Sequence, residues 1–228
     1  MAVEMHGLLR GLDWSHIRLS YVVPVYVNKP GAEKELSLFD DYSKYPAGIL
    51  DRILFVLVDD GSPLPYEIKD WPLNMIVLRV KEDIPWNNYG AKNLGVVFAK
   101  SDKVLITDLD HQVDPESFRK IIGMASLGRT IWKLPRLDAQ GKKKRAHADT
   151  FLISRGQFMK NYGYDEIYCG NYAGGDTMLV KYAKFHGCRV LVAWNGARIQ
   201  LRPAETEGMT HSLKRDGNHN HRIYCQRG

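Results

Sequence analysis

Short apolar runs and helical stripes alternate along the first half of the chain. Residues 20–27 (SYVVPVYV) are rich in β-branched and aromatic side chains, and residues 52–58 (RILFVLV) form a continuous apolar run. A run of that kind suits a strand covered on both faces. Residues 74–80 (NMIVLRV) and 103–107 (KVLIT) repeat the pattern. Between the runs the period changes. Residues 32–45 place Leu36, Phe39 and Tyr42 on one helical face and stop before Pro46. Residues 87–100 (NNYGAKNLGVVFAK) read as a helix with an Asn cap, apolar at Ala91, Leu94 and Val97 or Phe98. Asp114-Pro115-Glu116 has the form of a cap, first position and first turn of another helix. This order predicts an α/β fold with a mostly parallel central sheet and helices on its faces.

The second half is less regular. Residues 129–136 (RTIWKLPR) and 148–155 (ADTFLISR) predict a pair of strands joined by the loop LDAQGKKKRAH. Residues 174–187 predict a helix ending at Gly187, and residues 188–194 (CRVLVAW) a late strand. The end of the chain, about 206–228, is polar, basic and His-rich, and reads as a loop or flexible arm. We find no repeat and no low-complexity linker, so one domain is expected. Its first half covers about 18–113 and its second about 114–205.

Composition narrows the class. The chain has 228 residues, 44% of them hydrophobic and 25% charged, enough for a sizeable core. A net charge of +6 and a pI near 9.1 suit an anionic ligand without choosing one. The cysteines Cys169, Cys188 and Cys225 are odd in number and form no CxxC pair, which points to reduced thiols. The N-terminal residues lack a secretory pattern, and no stretch approaches the roughly 20 apolar residues of a membrane span. A cytoplasmic protein, attached to membranes at most peripherally, is the expectation.

Two strands end in acid. Residues 52–58 run into Asp59-Asp60-Gly61-Ser62, and residues 103–107 into Asp108-Leu109-Asp110-His111. Ligands of open α/β sheets sit at the carboxyl ends of the strands, and both clusters lie there. Two close carboxylates repel, and a divalent ion relieves the repulsion. Oxygen ligands of this kind suit Mg²⁺ or Mn²⁺, which complete their shells with phosphate oxygens. A solvated strand-end turn is the plainer reading of an isolated D-x-D, as ordinary turn chemistry is for D-G-S.

The order of these pieces adds information. Pro24-Val25-Tyr26, Asp59-Asp60-Gly61-Ser62, Ala91-Lys92-Asn93-Leu94-Gly95 and Asp108-Leu109-Asp110 follow one another in register. In this the chain resembles the inverting family 2 glycosyltransferases of the GT-A fold, with their P-x-Y-N, D-D-G-S, A-R-N-x-G and D-x-D run. Residues 151–179 resemble the family's S-R-x-x-F, F-D-E and G-E-D-x-x-L run. Gly175 stands where Glu is usual. The resemblance covers roughly residues 20–195. It implies a GT-A fold, Rossmann-like, with a small antiparallel element on the acceptor side.

By that resemblance the activity is metal-dependent transfer of a sugar from a nucleotide-diphosphate donor to a hydroxyl of a glycan or other acceptor, with inversion. A UDP-sugar is the favoured donor and a GDP-sugar the alternative, with Mn²⁺ or Mg²⁺ as the ion. Asp176 would be the catalytic base; a helix N-cap is the other reading of that residue. Pro24, Tyr26, Asp59 and Asp60 would meet the nucleoside, with Lys92 and Asn93 following on the helix. Lys92 otherwise reads as an exposed helix lysine. Asp108 would touch the ribose or the metal, and Asp110 is the first choice for direct ligation. His211 resembles the late histidine that completes the metal site in metal-dependent GT-A galactosyltransferases; a solvated tail is the alternative. Lys214 and Arg215 would clamp the diphosphate. His111 and His147 are weaker candidates that could be satisfied polar residues. Trp86, Trp132 and Trp194 have core or sugar-stacking roles that sequence does not separate.

Two further classes compete. A sugar-nucleotide nucleotidyltransferase would show a Gly-rich phosphate loop after the first strand, where this chain reads NKPGAEKE. A non-catalytic nucleic-acid-binding module would use Lys142-Lys143-Lys144-Arg145 and the aromatic residues; no nucleic acid is expected on the first reading. The same basic run could serve an anionic acceptor or a membrane surface.

Overall fold

The computed structural model describes residues 3–6, 13–193, 195–202 and 211–227. Trp194 and part of the basic tail lie outside them. The strands are β1 (Val3–His6), β2 (Leu19–Val25), β3 (Ile53–Asp59), β4 (Met75–Val80), β5 (Lys103–Ile106), β6 (His111–Gln112), β7 (Thr130–Lys133), β8 (Arg136–Leu137), β9 (Lys143–Lys144), β10 (Phe151–Ser154), β11 (Arg189–Val192) and β12 (Ile199–Leu201). The helices are α1 (Ser37–Tyr42), α2 (Ala47–Leu50), α3 (Asn88–Phe98), α4 (Pro115–Gly123), α5 (Arg155–Lys160), α6 (Gly175–Phe185) and α7 (Asn218–Arg227), with 3-10 turns over Ala32–Leu36 and Glu166–Tyr168.

Among the described residues, eight strands pair in the order β1-β4-β3-β2-β5-β10-β7-β11. The four central apolar runs, β4, β3, β2 and β5, pair in parallel. Beyond β5 the direction reverses, since β10 pairs antiparallel with both β5 and β7. A smaller sheet orders β6-β12-β8-β9. The expected mixed α/β architecture is therefore present, with its antiparallel element in the second half. No helix among the described residues is long and apolar enough to cross a membrane.

Every residue of β3 is buried, as its unbroken apolar run requires. Its side chains alternate between two cores. Ile53, Phe55 and Leu57 join Phe39 and Tyr42 of α1 and Phe118 of α4 on one face. Leu54, Val56 and Val58 join Ala91 and Val96 of α3, Phe158 of α5 and Leu179 of α6 on the other. Gly95 lets α3 approach the sheet: a Cβ there would stand 2.4 Å from Val22 Cγ1 and 3.2 Å from Val58 Cγ2.

The first core also anchors the segment after β5. The Val113 amide donates to the Tyr42 hydroxyl (3.0 Å), Tyr42 donates to the Tyr21 hydroxyl (3.2 Å), and Tyr21 donates to the His111 carbonyl (3.4 Å). Asp114 caps α4, accepting from the Ser117 amide at 2.7 Å, with Pro115 at the first position as its sequence predicts.

Three local expectations change. Asn87 precedes α3, but its side chain makes no capping bond and goes instead to Asp60. The segment after β8 is a short hairpin with β9, not only a loop. The described end of the tail is the helix α7, not a flexible arm. Its single buried side chain is polar: Asn220 donates to the carbonyls of Tyr168, Asn171 and Ala173 at 2.7–2.9 Å. Ile223 and Tyr224 pack partly buried against the second core, so the apolar contact of this helix is two adjacent residues and not a stripe that sequence would show.

Filling the gap at Gly95 is expected to separate α3 from the sheet. Gly95→Val should lower stability by about 1–3 kcal/mol, the usual range for overpacking, read as a lower urea midpoint at unchanged slope.

Candidate active site

The carboxyl ends of β2, β3 and β5 open on a cavity of about 430 Å³. Pro24, Tyr26, Asp60, Asp108, Asp110, Asp176, His211 and Arg215, all named from sequence, line it. Asp59, Lys92, Asn93 and Lys214 do not. Asp59 accepts from the Ser62 amide (2.9 Å) and faces Arg79 Nε (3.4 Å), which fixes the turn. Gly61 is required there: its φ is +73°, and a Cβ would meet the Glu82 carbonyl oxygen at 2.2 Å. Asn93 bonds the backbone of Tyr164 and the Glu166 carboxylate, away from the cavity. The Lys214 carbonyl, rather than its ammonium, is engaged, accepting from Trp86 Nε1 at 3.1 Å.

Asp60 is buried, with Asn87 Nδ2 donating to it at 2.6 Å. Burial pushes its carboxyl up to about 8, and the neighbouring Asp59 and Asp83 add to the effect. Asp83 in turn accepts from the Tyr26 hydroxyl at 2.8 Å.

Lys92 corrects the picture of an exposed helix lysine or a phosphate contact. It is fully buried. Its ammonium donates to Asp108 Oδ1 at 2.8 Å and to Asp149 Oδ2. Asp149 also accepts from the Tyr164 hydroxyl. Desolvation opposes the charge on Lys92, but the two carboxylates outweigh it and hold the ammonium charged. Burial pushes Asp108 up, yet Lys92, His147 and His111 hold it below the usual carboxylate range. Asp149 is raised, chiefly by burial. Sequence reasoning passed over Asp149 because it opens a strand as an ordinary polar residue.

The remaining oxygen of Asp108 faces His147 Nδ1 at 3.6 Å. Asp108, His111 and His147 each offer a ligand atom, all within 4.8 Å of one another. His111 is fully buried. Its Nδ1 lies 3.0 Å from Thr150 Oγ1 and 3.5 Å from Asp110 Oδ1, while Nε2 has no protein partner. A histidine held at one nitrogen by an oxygen and free at the other has the arrangement of a metal ligand. One carboxylate and two imidazoles suit a divalent transition ion. The residues present therefore fit a cation, in a set centred on the two histidines thought weaker from sequence. Asp110 stands beside the group with its side chain 53% exposed, and His211 lies outside it.

His211 packs on Trp86, with ring centroids 4.7 Å apart, and Trp86 packs on Tyr172 at the same distance. Arg215 lies over the Tyr172 ring at 5.6 Å, and the Ser212 amide donates to Asn28 at 2.9 Å. These contacts hold the described start of the tail against the cavity. Trp86 takes a φ of +55°, a conformation uncommon for a bulky residue.

Asp176 sits in the first turn of α6, half-buried and on the cavity wall. The structure explains the glycine beside it. A Cβ on Gly175 would stand 2.6 Å from the Tyr89 ring, so an acidic side chain has no room there.

No protein-family model and no curated protein sequence matches the chain. Solved structures do. TarS 1–349 from S. aureus, in complex with UDP-GlcNAc, matches with a TM-score of 0.62 at 15% identity, over 87% of this chain and 62% of that one. The mannosyltransferase PcManGT from Pyrobaculum calidifontis, in complex with GDP-Man and Mn²⁺, matches at 0.57 and 16%, over 83% and 57%. GalNAc-T7 with UDP, GalNAc and Mn²⁺ matches at 0.57 and 15%, over 82% and 44%. The chain thus spans less than two thirds of each. At such identities the likeness establishes the fold, which is that of the GT-A glycosyltransferases.

Two outcomes follow from the buried charges. Lys92→Met leaves the buried Asp149 and the half-buried Asp108 without their cation and should cost about 3–5 kcal/mol in chemical denaturation. Asp60 has a folded pKa raised above its unfolded value of 3.8, so the folded state holds its proton more tightly. Its contribution is fully present below that unfolded value and is lost as pH rises towards about 8. Asp60→Asn should therefore gain stability relative to the parent chain across that interval; parallel pH–stability curves would refute the assignment.

Proposed function

We propose that this chain transfers a sugar from a nucleoside-diphosphate donor to an acceptor hydroxyl. The observation that carries the reading is the convergence of Asp60, Asp108 and Asp176, from three distant parts of the sequence, on one cavity at the carboxyl ends of the parallel strands. The GT-A fold and the donors named for similar structures support it.

In this reading Pro24, Tyr26 and Asp60 take the nucleoside, with a UDP-sugar favoured and a GDP-sugar the alternative. Asp108, His111 and His147 would hold the divalent ion, and Asp110 beside them would bind a water of its shell. When bound, such an ion neutralises charge developing on the diphosphate leaving group. Lys92 keeps Asp108 ionised and pointed at the group. Arg215, already at the cavity wall, adds positive charge for the phosphates, and Lys214 is its neighbour on the same segment.

Asp176 is the base. It would take the acceptor hydroxyl proton while that oxygen attacks the anomeric carbon from the face opposite the diphosphate. The product then carries inverted configuration. Trp86 and Tyr172 offer ring faces to the sugar, and the tail segment over them excludes water from a hydrolysis-prone donor.

Two measurements test this. Asp176→Asn should bind UDP in Mn²⁺ with the parent affinity but lose about 10²–10⁴-fold in transfer; transfer at the parent rate would remove the base. His147→Ala should weaken Mn²⁺ binding, followed by calorimetry without nucleotide, about tenfold or more. An equal loss in His211→Ala with none in His147→Ala would move the ion to the tail.

A further inference from the structure

The smaller sheet carries basic residues on a hairpin beside the cavity. Its register pairs Leu201 with His111, Ile199 with Arg136, and Arg136 with Lys144. Ile199 and Leu201 are two apart on β12, so His111, Arg136 and Lys144 share one face. Strands in a sheet lie about 4.8 Å apart, so Arg136 and Lys144 present charge at that interval.

This arrangement opposes its own stability. Arg136 and Lys144 are like charges directly across a ladder. Asp138 relieves Lys144 at 3.2 Å. Arg136, Lys142, Lys143 and Arg145 have no carboxylate partner among the described residues. Arg136 Nε instead donates to the Arg145 carbonyl at 2.7 Å, which ties the two strands together. The hairpin then runs directly into His147, Ala148 and Asp149 of the cavity wall. Uncompensated charge held on a short hairpin beside a reaction cavity calls for an anionic ligand.

We propose that the acceptor is a polyanionic glycan that lies across the hairpin, its acidic groups meeting Arg136 and Lys142 on one face and Lys143 and Arg145 on the other, with one hydroxyl reaching into the cavity. This deepens the transferase reading and rests on it. A membrane surface fits less well. Membrane-binding elements combine basic with large apolar residues. Here the exposed large apolar side chains among the described residues, such as Val97, Phe185 and Val192, lie on or beside the helices or on β11, and none is on the hairpin.

The test measures binding of oligogalacturonate, a carboxylate-bearing glycan, by the full chain, with uncharged dextran for comparison. Removing three hairpin charges (K142Q/K143Q/R145Q) should weaken oligogalacturonate about tenfold or more, with the effect shrinking in high salt. Removing three exposed charges elsewhere (K100Q/K160Q/K184Q) should change it by less than about twofold. Equal losses in the two variants would mean general attraction to a basic protein and would overturn the proposal. So would equal binding of dextran, or a hairpin-dependent affinity greater for phosphatidylglycerol vesicles or for oligothymidylate. UDP affinity in Mn²⁺ is measured on the same samples and should match the parent in both variants. Absence of UDP binding in the parent chain would defeat the transferase reading instead, while leaving the hairpin result to stand as polyanion binding.

Discussion

Lys92 is a fully buried ammonium between two carboxylates, and the candidate site is built around it. A lone charge at that depth would be prohibitive. Two carboxylates offset the desolvation, and Tyr164 satisfies a further oxygen of Asp149. The arrangement joins three parts of the chain: α3 supplies the cation, the end of β5 supplies Asp108, and the entry to β10 supplies Asp149. Since β5 and β10 are also adjacent in the sheet, the ion cluster and the strand ladder fix the same relative position twice. Breaking a buried pair of this kind costs more than the pair itself contributes, which makes it an effective lock on geometry.

That lock acts on chemistry through Asp108. One of its oxygens is committed to Lys92, and the other is turned towards His147. The carboxylate therefore stays ionised in a half-buried position without needing a metal to hold it there. From the opposite side, the hydroxyl chain through Tyr42 and Tyr21 fixes the backbone of His111 and Val113. His111 is thus held by its carbonyl as well as by Thr150 on its ring. A site fixed by packing and second contacts loses little entropy when a charged ligand arrives.

Much of this was legible in the sequence where local pattern and tertiary role coincide. The apolar runs became the parallel strands, and Asp114-Pro115 started α4, because burial on both faces and helix capping leave direct marks. Asp60, Asp108, Asp110 and Asp176 were placed on one cavity because strand ends and a helix start mark positions irrespective of packing. What was not legible depended on partners far along the chain. Nothing local distinguishes a lysine that will meet two carboxylates from one that will meet a ligand or water, so Lys92 read as a nucleotide contact or an exposed helix lysine. Asp149 and His147 sit in a segment whose order comes from its neighbours. The helix α7 was missed because its buried anchor, Asn220, is polar and its apolar contact is only Ile223 and Tyr224, too short for a helical stripe.

The glycine at 175 decides how acid is distributed at the start of α6. The resemblance leads one to expect two adjacent acids at the start of α6, and only Asp176 is present. The space of the other is filled by Tyr89, whose ring stacks on Tyr164 with centroids 5.1 Å apart. Tyr164 is the residue that bonds Asp149. The aromatic pair therefore belongs to the Lys92 lock, and the missing acid follows from building it. Asp149 does not take over that acid's place, because Lys92 and Tyr164 bind its oxygens and burial raises its carboxyl. Of the acids on this wall, Asp176 alone is half-buried, open to the cavity and outside the lock. The proposed transfer needs a proton acceptor with those properties, which is why Asp176 is the residue proposed for it.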